Sequence, residues 1–158
     1  MWQISAVVFI FCLLTFRSPV AGLVVLVPLG LGTIITFATM GFGKIGLFIY
    51  TVPVASLGIG LGVDYSIYIV SRMKEELSLG KSYEEAHRET IVNAGKAVFF
   101  TAMSLALGVA MLLLSDIRFQ AILGGMLMVV LLANMLGALV LLPALMSWWR
   151  PRFLMVRK

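Results

Sequence analysis

The stretch Gly58-Ile59-Gly60-Leu61-Gly62-Val63-Asp64-Tyr65-Ser66 sets a carboxylate deep inside an apolar run that extends from Ile45 to Ser71. At about 1.5 Å per helical residue, such a run is long enough to cross a bilayer. A carboxylate at membrane depth costs about 2.5 to 3.5 kcal/mol on insertion scales, so a chain that keeps one directs it at a partner, at water or at a moving ion. Asp64 is therefore the leading functional candidate. Gly58, Gly60 and Gly62 read as a small-residue face that lets helices approach closely beside a buried polar site. A sharper reading makes them, with Pro53, a hinge.

The rest of the chain shares this solvent. Of its 158 residues 61% are hydrophobic and 12% charged, and its mean hydropathy is +1.08, which describes an integral membrane protein. Charges and clusters of Gly, Pro and Ser divide it into five apolar spans, about residues 1–16, 20–40, 45–71, 97–115 and 121–149. The expected fold is an all-α, polytopic membrane helix bundle, a single transmembrane domain over 1–158 with five transmembrane helices and one cytoplasmic amphipathic helix. The first span is short and lacks the basic start of a cleaved signal peptide, since Arg17 follows the apolar run. It reads as the stump of a longer helix. The one cysteine, Cys12, excludes an internal disulfide and a multi-cysteine metal site, and its apolar setting disfavours thiol catalysis.

A net charge of +5 would suggest nucleic acid in a soluble protein, but here it has a topological meaning. Arg17, the group Arg72, Lys74, Lys81, Arg88 and Lys96, and the tail Arg150, Arg152, Arg157 and Lys158 fall on one side of the five spans. Lys44 and Arg118 fall on the other. Lys and Arg collect on the cytoplasmic side, which predicts the N-terminus outside and the C-terminus inside. An N-out start without a signal suits a chain preceded by a further helix and an external domain, so a fragment is expected. In the polar segment, Leu79-Gly80 is a break and Ser82-x-x-Glu85 a capping box, which predicts a surface helix over about 82–94. His87 stands alone there, without a second metal-ligating neighbour, and reads as a surface residue.

Other chemistries fit less well. The glycine run lacks the strand and the Gly-x-Gly-x-x-Gly order of a nucleotide loop. Gly-Leu-Gly-Val-Asp is one residue away from the Gly-x-Gly-Asp pattern of intramembrane aspartyl proteases. Those enzymes need two carboxyls sharing a proton, and Asp116 lies at a span border beside Arg118. Thr101 and Ser104 on the following span are possible hydrogen-bond partners for Asp64, though hydroxyls in spans also bond back to their own helix. Asn134, rare in lipid, is expected to face another helix.

The run Gly60 to Glu76, with Asp64-Tyr65 at its centre, resembles the Asp-Tyr helix of resistance-nodulation-division (RND) exporters, in particular the MMPL and hopanoid-exporter branch. Phe16-Arg17-Ser18, Lys81 to Ala86, Thr101 to Ser104 and Leu141-Leu142-Pro143-Ala144-Leu145 are similar to the same module in the same order. The resemblance implies one five-helix, sterol-sensing-like piece of a larger exporter, without the external porter domain. The ending Trp148-Trp149-Arg150-Pro151-Arg152 resembles the C-terminus of a whole exporter, which favours the second half; a piece of the first half is the other option.

By the same resemblance, the chain serves proton-driven efflux of lipids or other hydrophobic compounds across the bacterial inner membrane. Asp64 is the implied proton relay and Tyr65 its hydrogen-bonding neighbour. No enzyme activity, cofactor or metal is implied. The implied partners are membrane lipids, the hydrophobic substrate and the remainder of the exporter or further copies, with no nucleic acid. No lysine lies at the centre of a span, so the Asp-Lys pair of the drug-efflux branch has no place here, and a second Asp-Tyr pair must come from elsewhere. The open alternatives are a structural role for Asp64 and a stand-alone sterol-sensing-like or accessory lipid-binding bundle without transport.

Overall fold

The computed structural model describes residues 19–43 and 52–149, together with Val7 and Ile10. The predicted first span therefore lies outside the described residues apart from those two positions, as does the start of the third. Everything described is helix or short turn. Helix α1 (Pro19–Phe42) opens on a proline, whose missing N–H is no loss in a first turn. Helix α2 (Val52–Ser78) carries Asp64 near its middle. It stops at Gly80, whose φ of +83° is the left-handed conformation that commonly ends helices and that glycine tolerates best.

Half of the predicted capping box forms at the next element, the bond from backbone N–H to hydroxyl. Helix α3 (Tyr83–Thr90) begins at Ser82, whose hydroxyl accepts from the Glu85 N–H at 3.3 Å. The structure then departs from expectation. Helix α3 runs without a break through a π-helical turn (Ile91–Gly95) into helix α4 (Lys96–Ala110) and a closing 3-10 turn (Met111–Leu114). The surface helix and the fourth span are thus one helical rod. Gly95 adopts right-handed helical angles and no proline lies in the turn after it, so the chain has a change of polarity here but no stop signal.

The last span behaves similarly. Helix α5 (Arg118–Leu136) passes through a second π-helical turn (Gly137–Leu141) into helix α6 (Leu142–Trp149). The widened turn ends two residues before Pro143, whose ring would crowd the carbonyl four residues back. Among the described residues three helices are long and apolar enough to cross a membrane: Gly22–Phe42, Tyr83–Leu114 and Arg118–Trp148.

Helix α5 is the centre of the bundle and packs on α1, α2 and α4. Glycines permit its close contacts: a Cβ on Gly124 would come within 2.6 Å of the Leu112 side chain, and one on Gly137 within 3.1 Å of Pro28. Val25, Val70, Met73, Ala138, Leu142 and Met146 are fully enclosed in one continuous core.

Helix α3 is tied down rather than merely lying on the surface. Ala86 and Thr90 are buried, the Tyr83 hydroxyl donates to the Met146 carbonyl, and His87 Nε2 lies 3.2 Å from the carbonyl of Pro143. His87 is therefore half-buried against α6, which corrects its reading as a plain surface residue. Beneath α3, Glu76 is 1% exposed and bridges Arg72 and Lys81, each at 2.6 Å. Lys81 also reaches Glu89 at 3.3 Å. The Lys81 hydrogen bond holds the Glu76 carboxyl below its ordinary range against the opposing effect of burial, with Arg72 adding to the lowering.

Candidate functional site

Asp64 does not sit in a closed polar pocket. It is exposed, on the wall of a lateral cleft of about 420 Å³ between α2 and α4. One wall is Leu61, Asp64, Tyr65 and Tyr68, and the other is formed by Val98, Thr101 and neighbouring apolar residues of α4. Helix α2 packs on α3 and on the turn Ile91–Gly95, and the cleft opens where it faces α4. Helix geometry explains the outward direction. At 3.6 residues per turn, positions two apart lie about 160° apart around the axis, so a Gly-x-Gly-x-Gly-x-Asp alternation cannot stay on one face.

The glycines divide accordingly. Gly58 and Gly62 face inward: a Cβ on Gly58 would lie 2.2 Å from Val130 and one on Gly62 2.5 Å from Asn134. Gly60, on the same side as Asp64, would meet nothing within 4 Å and takes no part in that packing. Pro53 falls in the first turn of α2.

Tyr65 and Ser66 turn inward beside the exposed carboxylate. They are 5% and 1% exposed, and among the described residues neither hydroxyl has a hydrogen-bond partner. A buried polar group left unpaired costs about 1 to 3 kcal/mol, so two in succession beside a membrane carboxylate mark a site where polarity has been kept at the expense of stability. Thr101 lies on the opposite wall of the cleft, whereas Ser104, one turn further on, is exposed and does not line it. Among the described residues neither is hydrogen-bonded to Asp64. Back-bonding hydroxyls occur instead on α1, where Thr33, Thr36 and Thr39 donate to the carbonyls four residues before them, and on α3, where Thr90 donates to Ala86. Asn134 is 3% exposed and crosses to α2, donating to the Gly58 carbonyl at 2.7 Å.

Two features of the site were absent from the sequence reading. Tyr68 shares the wall with Asp64, and its i,i+4 spacing from it was available as a signal. Glu76 was also in range as the i,i+4 partner of Arg72, but its burial depends on α3 folding over it.

No solved structure matches this chain. Relatives do. A membrane protein of Methanocaldococcus jannaschii is 32% identical over 138 residues, which are 87% of this chain and 36% of that protein. The trehalose monomycolate exporter MmpL3 of Mycobacterium tuberculosis is 40% identical over 74 residues, 46% of this chain and 8% of the exporter. MmpL3 of Mycolicibacterium smegmatis is 37% identical over 95 residues, 59% and 9% respectively. The chain thus spans about a third of the first relative and under a tenth of the mycobacterial exporters. Residues 2–155, including Asp64, the cleft and the α3 anchor, match the MMPL family from end to end. Together with the apolar helices, this match shows that the chain belongs to the MMPL family and is a multi-pass membrane protein.

Proposed function

We propose that this chain is the transmembrane module of a proton-driven exporter of lipids or other hydrophobic compounds, in which Asp64 takes up and releases the proton. The observation that carries this reading is the position of Asp64: near the middle of α2, exposed to a lateral cleft and joined to neither candidate hydroxyl. A structural carboxylate at this depth would be held by donors on neighbouring helices. This one is presented outward, where a helix from the rest of an exporter can supply its partner.

Proton uptake removes the charge and, with it, the penalty of turning α2 toward an apolar surface; release on the cytoplasmic side restores it. Each charge moved across the potential supplies about 2.3 kcal/mol per 100 mV, which biases a bundle with two arrangements. Tyr65 follows in sequence and keeps an unengaged hydroxyl on the core side of the same helix. The mycobacterial relatives named as trehalose monomycolate exporters support lipids as the first substrate class to test. The remaining helices and an external domain would come from outside these residues. The proposed setting is the bacterial inner membrane, with the N-terminus out and the C-terminus in.

The test is Asp64→Asn in the complete exporter. Insertion and expression are expected to be unchanged while proton-coupled export falls to background. Export at the wild-type rate would overturn the relay.

A further inference from the structure

Three helices meet at a single amide. Asn134 of α5 is enclosed, and its Nδ2 donates to the Gly58 carbonyl of α2 across 2.7 Å. One turn further along α2, a Cβ on Gly62 would lie 2.6 Å from the same nitrogen; from the other side, a Cβ on Gly32 of α1 would lie 2.1 Å from Oδ1. Glycines on two helices therefore form a slot shaped for one amide. Its Oδ1 has no hydrogen-bond partner among the described residues. It borders a pocket of about 10 Å³ lined in part by Gly32, Thr33, Thr36 and Gly58, close to the space one water needs.

Space filling alone does not require this chemistry, because leucine has the same branched shape without burying an amide. The bond is also of a particular kind. A carbonyl has two lone pairs, and within α2 the Gly58 oxygen already faces the N–H four residues on. The Asn134 bond can therefore form or break without breaking the helix. Gly62 and Asp64, two residues apart, lie about 160° apart around the axis, so the amide grips the back of the helix whose front carries the carboxylate.

We propose that Asn134 is a positioning residue for Asp64: through one breakable side-chain-to-backbone bond in a glycine-lined slot, it sets the rotation and height of α2 within the bundle. The functional half of this inference rests on the relay reading of Asp64; the positional half does not.

The test measures position and transport separately in the complete protein. With Cys12 replaced, nitroxide labels are placed at the exposed positions Leu57 on α2 and Val140 beyond α5. The distance between them is then read by pulsed electron resonance in lipid nanodiscs. The parent protein is expected to give one narrow distance. Asn134→Leu, which keeps the branched shape and removes the donor, and Asn134→Ser, which is too short to reach Gly58, should each broaden or displace it.

Returning an amide to the slot from α1, by Gly32→Asn together with Asn134→Gly, should restore the single distance. Export should fall about five- to tenfold in the single variants, the effect of one net hydrogen bond. Its pH optimum should shift, and both effects should be reversed in the exchanged pair. If Asn134→Leu and Asn134→Ser both keep the parent distance and pH profile, Asn134 is packing alone and the inference fails. If Asp64→Asn exports normally, the relay fails, and the distances still decide whether Asn134 positions α2.

Discussion

Asp64 and Gly62 are two residues apart and face opposite ways, and this divides the glycine run into positions that matter for packing and positions that do not. Gly62→Ala would force a Cβ to within 2.5 Å of Asn134 Cγ. The amide must move and its bond to Gly58 must strain, so we expect a loss of about 1 to 3 kcal/mol, as for other overpacked interfaces. Gly60→Ala adds a methyl group in open space and replaces a poor helix former, so a gain of about 0.5 to 1 kcal/mol is expected. Thermal unfolding in detergent compares the two; equal midpoints would contradict the assignment of faces. The presence of Asp64 and of a small-residue face was legible in the sequence. What misled was the alternation: it has period two, and a helix of period 3.6 converts that into two faces. Ser104 illustrates a similar loss of information, because only the splay between α2 and α4 decides which hydroxyls of α4 line the cleft.

At the scale of elements, helix boundaries were legible wherever a residue imposes one. Gly80 at φ +83° and the Ser82 cap stand where the sequence indicated. The junction of α3 with α4 was not legible, since a drop in hydropathy marks a change of environment and not an end of hydrogen bonding. The same holds for the anchoring of α3, which depends on carbonyls of α6 more than fifty residues away in sequence. The Glu76 knot yields a prediction with a definite sign. Its carboxyl is held below the ordinary range by the Lys81 hydrogen bond, with burial opposing and Arg72 assisting. A group whose folded value is depressed contributes stability above its unfolded value and loses it as pH falls through the folded one. The anchoring of α3 should therefore be complete at neutral pH and weaken only below the ordinary glutamate range. Glu76→Gln should lower the unfolding midpoint at pH 7 and leave a smaller difference from the parent in acid. A constant difference across that range would show that the ion pairs contribute nothing.

The whole molecule is organised around the question of which helices cross the membrane, and α2 is where composition and geometry disagree most. Three other helical stretches are long and apolar enough to do so among the described residues, whereas α2 carries Asp64 at its middle and Arg72, Lys74, Glu75 and Glu76 at its end. Its 27 residues nevertheless extend about 40 Å, more than a hydrocarbon core of about 30 Å. It also packs against both α1 and α5 along the glycine face, which a helix lying on the surface would not do. In the proposed topology the charged end faces the cytoplasm, because Lys and Arg collect on that side. In a background lacking Cys12, single cysteines at the exposed Gly43, just after α1, and at the exposed Ser82, just after α2, bracket the crossing. Gly43→Cys is expected to react with an impermeant maleimide added outside intact cells, and Ser82→Cys only after the membrane is opened. The reverse pattern would invert the bundle and place the Asp64 cleft in the opposite sense to the proton gradient. Reaction of both from one side would mean that α2 does not cross, and Asp64 could then carry no proton through the bilayer.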